Sequence, residues 1–145
     1  MRTVERFDAE VVSILASPGD PTEVAVRAAR AVIAWTAANP TDALVLTMFR
    51  REDLTGGEVG GELAERARTL GRRQQAATTD LAERLQRSPE EVAFAVAGIP
   101  MAAVRASIER RVPIPDWVAD AVERAVRGAL ATPARPDPRP RRTKR

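Results

Sequence analysis

The feature that most constrains the fold is an uncharged run of thirteen residues, from Val92 to Val104, that contains a proline. Charged residues make up 30% of the chain, so a run of this length predicts a segment shielded from water. Its apolar residues recur at intervals of three and four, as in a helix. Pro100 predicts a kink, because proline removes one backbone hydrogen bond. The kink is compatible with a helix bent around a core or with the wall of a pocket.

A helix built from this run has two apolar faces. The first face holds Phe94, Ala97, Met101, Val104 and Ile108, and the second holds Val92, Val96, Ile99, Ala103 and Ala106. A surface helix needs one apolar stripe, so a second stripe predicts a helix covered on both sides. One side packs on its own domain, and the other meets a cavity or a second copy of the chain. The angles alone do not decide which face does which.

The composition argues against an enzyme. The 145 residues include no Cys, His or Tyr, which excludes disulfides, thiol chemistry and the commonest general base near neutral pH. The usual zinc ligands are missing for the same reason. The acidic pairs, such as Glu90-Glu91, lie at predicted helix starts, where carboxylates stabilise the helix. We therefore expect no catalytic residues, no metal and no cofactor.

Charge divides the chain into two parts. Residues 132–145 hold six basic side chains and one acid, whereas residues 1–131 hold 17 basic and 19 acidic ones. We interpret 1–131 as one helical domain and 132–145 as a disordered, Arg- and Pro-rich tail, since alternating proline and charge cannot build a core. The tail is compatible with nonspecific phosphate contacts or with a solubilising role.

No targeting signal or membrane span is predicted. The first residues carry charges throughout, and the longest uncharged run falls short of the roughly 18–20 residues that a membrane span needs. The pattern is typical of a cytoplasmic protein without a membrane partner.

The spacing of apolar residues predicts six helices and almost no strand. Their approximate ranges are Thr3–Ala16, Pro21–Ala38, Thr41–Asp53, Glu62–Arg87, Pro89–Arg111 and Asp116–Ala131. Two of them begin with capping boxes followed by proline, at Asp20 and at Ser88. The TGGEVGG segment, Thr55–Gly61, is predicted to be a linking loop, because it lacks the GK[ST] and the preceding strand of a phosphate loop.

The order of these segments resembles the C-terminal half of TetR-family transcriptional regulators. The resemblance covers residues 1–131 and rests on the segments ILASPGDPTE, AWTAANP, LVLTMFRREDL, AFAVAGIPMAAV and VPIPDWV. It implies a six-helix orthogonal bundle that binds a small apolar effector in a cavity. It also implies that the last two helices form a four-helix bundle in a homodimer.

The resemblance also implies a separate three-helix headpiece that binds DNA, and the chain departs from the family pattern there. The sequence begins where the helix joining body and headpiece would begin, so we expect the headpiece to be absent from this chain. DNA would then be a partner only through a headpiece upstream or in another protein. A start assigned too late, an isolated sensing body and a truncated relic are all compatible with this pattern.

Large apolar residues on different helices are the candidates for the effector site, because such sites are mostly apolar with few polar groups. They are Trp35, Met48, Phe49, Phe94, Ala97 and Met101, with Thr36, Thr47 and Arg105 as the nearest polar groups. The same residues are also compatible with an ordinary core. Arg105 is equally compatible with a solvated charge or a pair with Glu109.

Small and β-branched residues on the last two helices are the candidates for the dimer interface, because they allow close helix contact. They are Val92, Val96, Ile99, Ala103, Val118, Val122 and Val126. Packing of the fifth helix on the sixth within one chain is the competing interpretation. A helical protein-interaction module without a ligand is the alternative function.

Overall fold

The computed structural model describes residues 2–48 and 61–131, and every regular element in those two ranges is a helix. The six helices are α1 (Arg2–Leu15), α2 (Pro21–Ala38), α3 (Pro40–Met48), α4 (Gly61–Leu85), α5 (Pro89–Arg110) and α6 (Val118–Ala131). The predicted all-α class is therefore confirmed. The predicted end of the third helix at Asp53, most of the TGGEVGG loop and the tail at 132–145 lie outside the described residues.

The centre of the fold is α2, which packs against all five of the other helices. Its only charged residues are Glu23, Arg27 and Arg30, so most of its surface can be buried. The buried residues are Val24, Ala25, Val26, Ala28, Ala29, Val32, Ile33 and Thr36. Three of these are alanines, whose small side chains let the surrounding helices approach closely.

Two helices begin with the caps that the sequence predicts. The Asp20 carboxylate accepts a hydrogen bond of 3.0 Å from the backbone N–H of Glu23 at the start of α2. At the start of α5, the Ser88 hydroxyl accepts from the Glu91 N–H, and the Glu91 carboxylate accepts from the Ser88 N–H. These bonds satisfy N–H groups that have no partner inside their helix, and so fix where each helix begins.

Pro100 lies in α5 directly after a π-helical turn, Phe94–Gly98. The Ile99 N–H bonds to the Phe94 carbonyl, five residues back, rather than to the carbonyl four residues back. A proline ring collides with the carbonyl four residues before it and has no N–H to donate. The wider turn accommodates the proline, and α5 continues to Arg110. The predicted backbone irregularity thus takes the form of a π turn.

The π turn also decides which residues of α5 are buried. Five of the core residues recur at every fourth position: Val92, Val96, Pro100, Val104 and Ile108. On a regular α-helix a repeat of four drifts by about 40° at each step. The π turn holds one more residue than an α turn and so takes up about 100° of that drift. One continuous face of α5 therefore meets the core.

Candidate functional site

A cleft of about 650 Å³ lies between α2, α3 and the last turn of α5. It is lined by Thr36, Ala37, Pro40, Thr41, Leu44, Ser107, Ile108, Arg111, Val112, Pro113 and Ile114. Seven of these eleven residues are apolar, and Arg111 is the one charged residue among them. Such a lining, apolar with a few polar groups, is typical of sites for small organic molecules.

A sharp turn between α2 and α3 forms one wall of the cleft. Asn39 ends α2, and both its backbone N–H and its side-chain amide donate to the Trp35 carbonyl, at 2.9 and 3.0 Å. Pro40 begins α3 at once, and the Ala43 N–H bonds to the Asn39 carbonyl at 3.0 Å. Because no loop separates the two helices, their side chains at this corner face a common space.

The opposite wall is the end of α5 and the segment that follows it. Arg111 has the left-handed backbone conformation, with φ 54° and ψ 42°, and ends the helix. The Arg111 N–H bonds to the Ile108 carbonyl at 3.1 Å, and the Val112 N–H bonds to the Ser107 carbonyl at 3.0 Å. This Schellman turn reverses the chain, so that Val112 to Ile114 fold back along the cleft.

A second cleft, of about 400 Å³, lies between α2 and the start of α6. It shares Ala37 and Ile114 with the first cleft, and its charged residues are Arg27, Arg30 and Asp116. The Arg30 guanidinium is already engaged, 3.1 Å from an Asp120 oxygen and 2.6 Å from a Glu123 oxygen. Arg27, by contrast, donates to the Ser17 hydroxyl at 3.0 Å and, like Asp116, makes no ion pair within the described ranges.

Arg30 of the second cleft belongs to an ion-pair network that joins α2 to α6. Arg127 donates to both Glu123, at 2.8 Å, and Glu23, at 3.0 Å. The hydrogen bond and charge of Arg127, followed by the charge of Arg30, hold the pKa of Glu123 below its usual value. The bond from Arg127 likewise lowers the pKa of Glu23. These side chains are substantially exposed, so they add orientation between the two helices more than they add stability.

Of the residues predicted to bind the effector, Trp35, Phe94, Ala97 and Met101 do not line the first cleft, whereas Thr36, predicted as a nearby polar group, does. Trp35 stacks on Phe7 of α1, with ring centroids 4.5 Å apart, one residue before the cleft-lining Thr36. The Trp35 indole N–H is buried and makes no hydrogen bond within the described part of the chain. The side chain of Met48, that of Thr47 and the whole of Phe49 lie outside the described residues.

The predicted cavity face of α5 points outward instead. Phe94 is 61% exposed, Ala97 is exposed and Met101 is half-buried. The ring of Phe94 lies over Gly98, where an added Cβ would come within 3.1 Å of it. None of the three predicted residues lines either cleft, so their part in effector binding stays a prediction. Arg105 is also exposed and does not line either cleft.

Five of the residues predicted to form the dimer interface lie instead in the core of the single chain. Val92, Val96, Val118, Val122 and Val126 are each at most 6% exposed and belong to one buried cluster. They pack α5 and α6 onto α2, so they present no surface to a second copy. Of the other two residues, Ile99 is half-buried against this cluster and Ala103 is exposed. The interpretation as intramolecular packing fits these five valines.

Several lining residues of the cleft were not singled out from the sequence. Ser107, Arg111 and Ile114 flank a helix end followed by VPIP, and that pattern signals a chain reversal. A reversal places the residues on both sides of it against the same neighbour. The sequence contained this signal, but only the helix packing shows that α2 and α3 are the neighbours.

Within residues 2–48 and 61–131, no three acidic side chains lie close enough to hold a metal ion. One described helix, Pro89–Arg110, is long and apolar enough by length and composition to cross a membrane, with a mean hydropathy of 1.5. The same helix supplies the core face described above, which accounts for much of its apolar character.

The chain matches no protein-family model, and comparisons with curated proteins and with solved structures give no significant match either. The resemblance to the TetR family, which rests on segment order, therefore stays a prediction.

Proposed function

We propose that this chain is the effector-sensing and homodimerisation body of a TetR-like transcriptional regulator. In this proposal a small apolar effector occupies the cleft between α2, α3 and α5. Two copies pair through the outward face of α5, beside α6. The observation that carries the proposal is the cleft itself, because it lies within the helical body to which the resemblance assigns an effector cavity.

The size and lining of the cleft support the proposal. A volume of about 650 Å³ falls within the range of sites for drug-sized molecules. Leu44, Ile108 and Ile114 provide apolar surface, and Thr36 is a buried polar group at its edge. A ligand-free interaction module needs no such space, so the cleft weighs against that alternative.

The outward face of α5 supports pairing of two copies. Phe94 is a large, 61% exposed aromatic, and Ala97 and Met101 continue its apolar face towards the end of α5. The exposed carboxylates of Glu90 and Glu91 lie one turn before it, so an isologous contact, which places the same patch of each copy against the other, would centre on Phe94 and the residues after it. Burying two Phe94 rings together would remove apolar surface from water in both copies.

The proposal assigns DNA binding to a headpiece outside residues 1–131. Effector binding would act on such a headpiece through α1, the first helix of the body. α1 packs on α2, and α2 lines the cleft. α2 therefore connects the cleft to the helix that would lead to the headpiece.

Thermal unfolding in the presence of a panel of small apolar compounds tests the cleft. At least one compound should raise the Tm of the wild-type chain and change the fluorescence of Trp35, measured in a Trp117→Phe background. Ser107→Phe should abolish both effects by filling the cleft, since Ser107 lines it. Ala106→Phe is the matched control, because Ala106 is the exposed neighbour that does not line the cleft. Equal responses of the two variants would contradict the proposed site.

Light scattering during size-exclusion chromatography tests the pairing. We expect a dimer at micromolar concentration, and Phe94→Asp should convert it to a monomer by burying a charge in the contact. Ala76→Asp places the same charge on an exposed position of α4 and should leave the dimer intact. A monomeric wild-type chain would refute the homodimer.

A further inference from the structure

The charge balance of the cleft indicates what kind of ligand it takes. Among the residues that the structure describes, Arg111 is the one charged residue that lines the cleft, and no carboxylate does. Arg111 makes no ion pair with any residue of the described ranges, in contrast to Arg30 and Arg127 on α2 and α6. Arg111 is exposed, so its guanidinium is accessible to an anionic group of a ligand that lies in the cleft.

The backbone holds Arg111 in place. Its left-handed conformation is usually taken by glycine, since a side chain there costs energy. One other described non-glycine residue has a positive φ, Gln86, which ends α4 in the same type of turn. There the Gln86 N–H bonds to the Glu83 carbonyl, and the Arg87 N–H bonds to the Ala82 carbonyl. Residues 2–48 and 61–131 thus contain two equivalent turns, and the one at Arg111 lines the cleft.

Hydroxyl groups complete the polar part of the cleft. The Thr36 hydroxyl donates to the Val32 carbonyl at 2.8 Å, which leaves its oxygen as an acceptor. The hydroxyls of Thr41 and Ser107 make no side-chain hydrogen bond within the described residues and can donate to a ligand. The three hydroxyl oxygens can also accept, so the preference for a ligand group that accepts hydrogen bonds comes from Arg111, whose guanidinium has five N–H donors and no acceptor.

We infer that the cleft binds a small organic acid, with its carboxylate on Arg111 and its apolar body against Leu44, Ile108 and Ile114. The inference rests on the proposed function and specifies its ligand class. A carboxylate accepts two parallel hydrogen bonds from one guanidinium. A phosphate monoester carries about two negative charges at neutral pH, and one arginine balances only one of them. The apolar lining accounts for the rest of the ligand.

The probes are octanoate, octanol and octyl phosphate, which share one alkyl chain and differ in the head group. Calorimetric titration of the wild-type chain at neutral pH should show octanoate binding at least about tenfold tighter than octanol, as expected for a charge-assisted pair. Arg111→Gly should remove that preference and leave octanol binding unchanged. Gln86→Gly makes the same backbone change at the equivalent turn and should leave both affinities unchanged.

The outcomes separate the two proposals. Equal affinity for octanoate and octanol, or an octanoate preference that survives Arg111→Gly, overturns the organic-acid inference and leaves the sensing cleft standing. Tighter binding of octyl phosphate overturns it in favour of a phosphate ligand. If neither the three probes nor any compound of the apolar panel binds, the sensing function fails as well. Because Arg111→Gly relieves a strained backbone, we expect that variant to fold.

Discussion

The two ends of α2 differ in how completely the rest of the chain covers them. At the first end, Val24, Ala25, Ala28 and Ala29 have no exposed surface. At the last turn, Ala34, Ala37 and Ala38 are exposed, and the cleft opens beside them. Alanine is common at both ends, so the difference does not come from the residues of α2.

The covering comes from the neighbours of each end. The first end of α2 meets the last turn of α1, which includes the buried Leu15. The buried Leu81 of α4 packs in the same core cluster. Arg84 of α4 also donates to the carbonyls of Ser17 and Gly19, at 3.0 and 2.8 Å, and so holds the loop before α2. The last turn meets α3 and the end of α5, which stand apart and leave the cleft. Stability is therefore concentrated at one end of α2, and space for a ligand is found at the other.

Deleting Ala97 from the π turn of α5 is the change expected to disturb the packing of α5 on α2 most. The deletion would convert the π turn into a regular turn and rotate everything after it by about 100°. Val104 and Ile108 would then leave the core. We expect a loss of more than about 4 kcal/mol in the free energy of unfolding, or no cooperative transition at all, by urea titration.

Ala97→Gly is the control for this deletion, because it keeps the length of the turn. It should cost about 1 kcal/mol, the usual penalty for glycine within a helix. A deletion variant that unfolds cooperatively at the wild-type urea concentration would show that the π turn does not set the phase of α5.

The same turn explains how far the fold could be predicted from the sequence. The six helices, their caps and the burial of α2 follow from local patterns, and the structure has them. A wheel with uniform spacing placed Val92 and Val104 on opposite faces of α5, but the π turn puts both in the core. A sequence shows that Pro100 disturbs the helix, but not how many residues the disturbed turn will hold.

The site was harder to predict than the fold for a related reason. Which residues line a cleft depends on what their helices pack against. The candidates from the sequence were selected only because they are large and apolar. Trp35 is next to the cleft in sequence, yet its ring is engaged by Phe7. Ala37 and Pro40 line it and carry no distinctive chemistry. Only the packing of α3 and α5 reveals such positions.

Truncating one leucine at each end of α2 tests the contrast directly. Leu15 is 1% exposed at the covered end, and Leu15→Ala should cost about 2–5 kcal/mol, because a tightly packed core cannot close the space left behind. Leu44 is half-buried and already faces the cleft. Leu44→Ala should cost less than about 1.5 kcal/mol, since it removes less contact and leaves no closed cavity. Urea titrations with a common slope measure both, and equal losses would remove the contrast.

The smallest expected effect concerns the ion pairs between α2 and α6. Folding lowers the pKa of Glu123 and that of Glu23 below the usual value of 4.5, chiefly through Arg127. Such a carboxylate stabilises the fold fully above its unfolded pKa, and loses that contribution as the pH falls through the folded pKa. Burial raises the pKa of Asp8, so its protonation relieves a cost and acts in the opposite direction.

Glu123→Gln should therefore lower the Tm slightly at neutral pH, and the difference from the wild type should close as the pH falls below 4.5 and through the lowered pKa of Glu123. Added salt should shrink the same difference at neutral pH, because these side chains are accessible to solvent ions. Glu109→Gln, an exposed carboxylate of α5 with no ion pair among the described residues, should show no such pH dependence. A difference that persists in acid would mean that Glu123 stabilises α6 by packing rather than by charge, and the covered end of α2 would then owe its stability to its apolar contacts alone.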